Sequence, residues 1–213
     1  MSSRKRSASS RRSYHHGDLK RALMDAALRL VESAGPQGFS MADLAREAGV
    51  SSGAPYRHFK DKHALLEALA LEGLERLLAD GERERARQGD AGPLAQFRAL
   101  GVASVVFAVE HPGYFRVMNS PEILDRSGSP ELAAVREGAD AATRSMVDGA
   151  AAAGELATDP RVSILTAQAL MYGLARMLVD GLLTPVSTDE ARQLAIAVTE
   201  VLGHGLVPRG PSS

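Results

Sequence analysis

Apolar residues in this chain recur at intervals of three and four, in segments each closed by glycine or proline, a pattern that admits helices and little else. Leu19, Leu23, Ala26, Ala27, Leu30 and Val31 share one helical face until Gly35-Pro36 breaks the run, and Gly17 and Asp18 supply a cap, so the spacing predicts a helix of about 17 residues. Ser40 with Asp43 three residues on is an acidic variant of the capping box, and Met41, Leu44, Ala45 and Ala48 predict a short helix ending at Gly49. After the tight turn Gly49-Val50-Ser51, residues 52–59 predict a third short helix with Pro55 in its first turn.

Two short helices joined by a glycine-containing turn form a helix-turn-helix unit. Asp61 then caps a long helix from Lys62 to about Arg87, and Gly89–Pro93 separates it from the nearly all-apolar Leu94–Glu110, a helix expected inside a second domain. Tyr114–Met118 reads as a short helical turn, Ser120–Pro130 as irregular, and helices are expected over Glu131–Ala153, Pro160–Leu183 and Thr188–His204. The fold class is therefore all-α, with no convincing strand and no internal repeat. Residues 1–13, rich in Ser and Arg, form a disordered basic arm, 14–62 the helix-turn-helix domain, and 63–205 a larger helical domain. The tail, 206–213, resembles a protease-site remnant or is native, and carries no fold information.

Only nine of the 213 residues are aromatic, and the apolar supply is mostly Ala, Leu and Val, which suits helices. There is no cysteine, which excludes disulfides and thiolate chemistry and is compatible with the cytoplasm. No apolar run is expected to reach the roughly 20 residues that span a bilayer, so neither a membrane nor export is expected. The net charge of −1 conceals an asymmetry: residues 1–62 carry about +6 and residues 63–213 about −7. A basic head on an acidic body points to a polyanion partner for one part of the chain, or to a solvated tail.

A DNA reader needs a short helix with small residues at its start and phosphate donors around it. Ser51, Ser52, Gly53 and Ala54 form such an edge, Tyr56 and His58 add a phenol and an imidazole, and Lys60 and Lys62 follow. The run from Phe39 to Leu66 resembles the DNA-binding signature of the TetR family (TetR/AcrR type) in Ala45…Ala48-Gly49-Val50-Ser51, Tyr56…His58-Phe59 and Lys62…Leu65-Leu66, with the likeness extending over about residues 17–70. That resemblance implies nine or so helices, a homodimer, phosphate contacts from Ser40, Tyr56, His58 and Lys62, and base edges faced by Ser51, Ser52, Ala54 and Pro55. The edge lacks an Arg, Asn or Gln for bidentate base contact, so direct readout falls to Arg57, to thymine methyl contacts or to the arm. Arg11 and Arg12, with Arg4, Lys5 and Arg6, either enter an adjacent minor groove or add salt-dependent affinity only.

His111–Met118 resembles part of a TetR subgroup whose second domain carries a Trp-His-Gly signature; Gln168 and Tyr172 stand for its Trp and His, and Gly173 is kept. Phe107, Phe115, Met118, Met171 and Tyr172 are the candidates to line an apolar effector pocket, with core packing as the alternative. Val162, Leu165, Ala169, Gly173 and Leu174, with Val198, Val201 and Leu202, are the candidates for a four-helix dimer interface. The six histidines lack metal-ligand spacing, so no metal and no cofactor are expected. No nucleotide loop, nucleophile–base pair or metal site supports an enzyme. Three readings stay open: a repressor released from a palindromic operator on double-stranded DNA by a small apolar or amphipathic effector of unknown identity, an activator or ligand-independent DNA-binding protein, and a helical enzyme.

Overall fold

The computed structural model describes residues 16–89, 91–125, 129–184 and 186–206, and among them every regular element is helical. In chain order these are α1 (His16–Ala34), α2 (Met41–Glu47), a 3₁₀ turn (Pro55–Arg57), α3 (Lys62–Ala86), α4 (Pro93–Glu110), α5 (Pro112–Met118), α6 (Pro121–Leu124), α7 (Pro130–Ala152), α8 (Pro160–Val179) and α9 (Thr188–Leu206). The basic arm with Arg11 and Arg12, and the tail beyond Leu206, lie outside the described residues.

Local chemistry sets the helix ends. The capping box of α2 is present in full: the Asp43 N–H donates to Ser40 Oγ at 3.2 Å and the Ser40 N–H to Asp43 Oδ2 at 2.9 Å. Gly35 and Gly49 follow α1 and α2 with φ of 79° and 67°, a region that a side chain makes costly. Asp61 caps α3 by accepting from the Ala64 N–H at 2.9 Å.

Three expectations are corrected. The third helix shrinks to one 3₁₀ turn: Pro55 offers no N–H to Ser51, and Ser51-Ser52-Gly53 is a run of poor helix formers. The segment after α5 holds the short α6 where an irregular run was expected. Helices α4 and α8 are long and apolar enough, by length and composition alone, to cross a membrane, against the expectation that none would be. In the fold α4 packs against α3, α5, α7, α8 and α9 as the central helix of the larger bundle, which accounts for its composition. Helix α8 is different, since much of its apolar surface is exposed.

Two apolar cores hold the molecule together. The first gathers Leu23, Ala27 and Val31 of α1, Leu44 of α2, Phe59, and Leu65, Leu66 and Leu69 of α3, and continues into Tyr114, Val117, Ile123 and Leu132. The second joins Val102, Val105 and Val106 of α4 to Phe115, Met171, Ala175 and Ala195. Each fully buried Leu or Val contributes about 1.5–3 kcal/mol relative to exposure. Because the first core runs from α1 to α7, apolar packing continues across residue 62.

Candidate DNA-binding and effector sites

The small-residue edge and the 3₁₀ turn form one exposed corner of the head. Ser51, Ser52, Tyr56, Arg57 and Lys60 are exposed there, and His58 is half-buried. Ala54 and Pro55 are buried, Pro55 almost completely, so neither faces a base edge as expected; both pack inward and hold the turn. Lys62 is also redirected. Its ammonium donates to the Gln37 and Phe39 carbonyls at 3.1 and 2.7 Å and lies 4.5 Å from the centre of the Phe39 ring. Desolvation lowers its pKa against a smaller opposing influence from Glu122. Lys62 thus pins the loop between α1 and α2, and Lys60 remains an exposed ammonium beside the turn. Ser40 is exposed, but its hydroxyl donates to Asp43 Oδ2 at 2.6 Å and is committed to the cap.

Behind this corner a polar network ties α1 to α3 and α5. Arg21 of α1 pairs with Asp25, donates to Glu72 of α3 at 2.6 Å, and reaches the Tyr114 hydroxyl of α5 at 3.3 Å. Arg76 donates to the same Glu72 oxygen at 2.6 Å while lying 5.2 Å from the Tyr114 ring centre. Burial alone raises the Glu72 pKa, but hydrogen bonds from Arg21 and Arg76 outweigh it and hold the carboxyl below its usual range; Tyr114 is pushed up, chiefly by burial. Arg116 continues the clasp, donating to the Glu32 carbonyl of α1 at 3.2 Å and the Val179 carbonyl of α8 at 3.0 Å.

On its other face α5 borders a cavity of about 580 Å³ between α3, α4, α7, α8 and α9. All five expected pocket residues, Phe107, Phe115, Met118, Met171 and Tyr172, line it, and Phe115 and Tyr172 pair with ring centres 5.9 Å apart. The lining also holds Leu74, Leu77 and Leu78 of α3, together with Arg98, Arg136 and Asp140, none of which was expected in the pocket from the sequence. The signal for Arg98 was there, as the one basic residue in α4. Arg136 and Asp140 look like a solvated helix face until the bundle closes over them. Asp80, Glu110 and His111 place one ligand-type atom each within 4.8 Å of one another, a grouping from two distant segments in which Asp80 is already paired with Arg83.

Comparison with known proteins agrees with this arrangement. Residues 23–69 match the family model of bacterial regulatory proteins of the tetR family, and residues 97–201 match the tetracyclin repressor-like C-terminal domain. The chain belongs to the TetR family. It is 40% identical over 88 residues to the HTH-type transcriptional regulator BetI of Burkholderia thailandensis, covering 41% of this chain and 45% of BetI. It is also 33% identical over 102 residues to the uncharacterized HTH-type transcriptional regulator YobS of Bacillus subtilis, covering 46% of this chain and 50% of YobS. The aligned region thus spans about half the length of these curated relatives. A structure of a protein with unknown function from Rhodococcus sp. RHA1 is 33% identical, with a TM-score of 0.70 over 92% of this chain and 100% of that one. The TetR family regulator PfmR from Thermus thermophilus, at 24% identity and TM-score 0.69 over 89% of this chain and 97% of PfmR, shares the fold.

In this TetR-family chain the expected interface residues divide. Val162, Leu165 and Val201 are 52%, 67% and 75% exposed, and Ala169 is exposed beside them. Gly173 is half-buried. Leu174 and Val198 are half-buried and pack against the second core, and Leu202 is half-buried and lines the cavity. Leu170, Met177, Leu182 and Leu194 add exposed apolar surface to α8, the turn after it and α9.

Proposed function

We propose that this chain is a transcriptional repressor that binds a palindromic operator as a homodimer and releases it when a small amphipathic effector enters the α3–α9 cavity. The observation that carries the reading is the position of α5. Its Phe115 and Met118 line the cavity, while its Tyr114 and Arg116 hold α1 of the DNA-binding head. Helix α3 makes the same connection, since it lines the cavity at Leu74, Leu77 and Leu78 and its N-terminal half packs under the head.

Ligand that is better accommodated when α5 and α3 shift therefore favours a different head orientation, and operator affinity falls by the ratio of its affinities for the two states. In this reading Arg57 and Lys60 hold phosphates or a guanine edge, Tyr56, Ser51 and Ser52 complete the contact, and α8 with α9 joins two copies so that the heads sit about 34 Å apart. The relatives are named as regulators, which supports a non-enzymatic role, exercised in the cytoplasm where the operator lies.

The test is salt-dependent binding of the purified chain to the intergenic DNA upstream of its own gene, with unrelated DNA as competitor. Competitor-resistant binding that Arg57→Ala and Tyr56→Ala both weaken supports the reading. Binding equal for any DNA, with a steep salt slope, overturns it.

A further inference from the structure

We infer that the effector is an anionic amphiphile, whose acidic head group is held by Arg98 while its apolar body fills the cavity. The inference deepens the effector-site reading above and rests on it. Helix α4 carries no other charged residue before Glu110, yet Arg98 lies in its second turn and lines the cavity. The guanidinium lies against α9 at Gly203, where an added Cβ would meet Nη2 at 1.7 Å and Cζ at 2.6 Å, so glycine at 203 makes room for this side chain. Among the described residues the Arg98 side chain has no hydrogen bond and no ion pair. The side chains of Arg57, Arg144 and Arg161 share that state, but all three are exposed, whereas Arg98 is half-buried.

The charge is uncompensated inside the cavity. Asp140 is the one acid in the lining; it lies on α7, one turn from Arg136, which also lines the cavity, and makes no ion pair with Arg98. Two guanidiniums and one carboxylate leave the lining net positive, with Arg98 as the unmatched cation. A planar guanidinium with free N–H groups, in a cavity also lined by Leu74, Leu78, Phe107 and Phe115, suits a carboxylate or phosphate monoester on a hydrocarbon body. A cationic or neutral head group leaves that charge unmatched, and a ligand without a head group leaves it desolvated.

The discriminating experiment is displacement of the neutral fluorophore N-phenyl-1-naphthylamine from the full chain at neutral pH by four compounds sharing a ten-carbon tail: decanoate, decyl phosphate, 1-decanol and decyltrimethylammonium. Decanoate or decyl phosphate is expected to displace it at about tenfold lower concentration than decanol, a difference of about 1.4 kcal/mol, with the cation weakest. The two acids differ only in head group, so their order says which is preferred. Arg98→Met abolishes the preference, and Arg98→Lys, which keeps the charge, retains part of it, with helical content checked by circular dichroism. Gly203→Ala, which displaces the guanidinium without removing it, also weakens the preference. Equal displacement by decanoate and decanol, or a preference that Arg98→Met leaves intact, overturns the inference. If the fluorophore and all four compounds fail to bind, the effector-site reading falls as well. If decanol binds and releases operator as well as decanoate does, the effector site stands and only the anionic class falls.

Discussion

At Lys62 the type of side chain was legible and its use was not. An ammonium at the start of a helix beside a DNA-reading turn suggests a phosphate contact, but the loop before α2 folds over it, and two carbonyls and a ring occupy it. Lys62→Met is therefore expected to lower the thermal midpoint, by an amount equivalent to about 1 kcal/mol, while changing the salt slope of DNA binding little. Arg57→Ala and Lys60→Ala, at exposed positions, are expected to reduce that slope by about one each with the midpoint unchanged. Both quantities come from one purified set of variants. Glu72 gives a pH prediction. Its carboxyl titrates below the ordinary 4.5 in the folded chain, so the stabilisation is fully present above that value and is lost as pH falls through it towards the lower folded pKa. The thermal midpoint of the native chain should fall more steeply below about pH 4.5 than that of Glu72→Gln. The Ser40–Asp43 cap was readable because both partners lie within one helical turn, whereas the Arg21–Glu72–Tyr114 network joins residues from three helices and left no local trace.

Among the elements, α5 was anticipated as a short helical turn, but not as the piece that touches both cavity and head. Its closeness to α3 depends on Gly73, where a Cβ would meet Met118 Sδ at 2.8 Å and Tyr114 at 3.0 Å. Met118 is flexible enough to give way, but Tyr114 is held by Arg21. Gly73→Val is therefore expected to destabilise the fold by about 1–3 kcal/mol in chemical denaturation. Tyr114→Phe removes only the hydroxyl that Arg21 reaches. It should leave effector binding within about twofold and diminish effector-driven loss of operator affinity, read by titrating effector against preformed operator complex. Helix α4 was expected inside the larger domain, and it lies there because its apolar residues surround the whole helix. The third helix is shorter than the sequence suggests, since a periodic pattern does not register the hydrogen bond that Pro55 cannot make.

At the scale of the molecule, an apolar face on α8 and α9 is left exposed among the described residues. Leu165→Glu combined with Val201→Glu is expected to convert a dimer to a monomer in sedimentation, and to weaken operator binding far more than either head contact does, because two half-sites then bind independently. The alternation of helices and breaks made the all-α architecture legible. Which apolar residues of α8 and α9 turn towards the core was not, because Leu174, Val198 and Leu202 differ from exposed apolar neighbours such as Leu170 and Val201 only in angular position on the helix.

The first apolar core has a practical consequence for anyone who treats such a head as a portable cassette. Tyr114, Val117, Ile123 and Leu132 complete the packing around Leu23, Leu66 and Leu69, so a fragment cut at residue 62 leaves behind both the N-terminal half of α3 and its outer cladding. Grafting this head onto a foreign sensor calls for the junction to be drawn around α5, with Arg116 and Tyr114 travelling with α1, and a chimaera spliced at the end of the reading turn would inherit the DNA-facing residues without the scaffold that aims them.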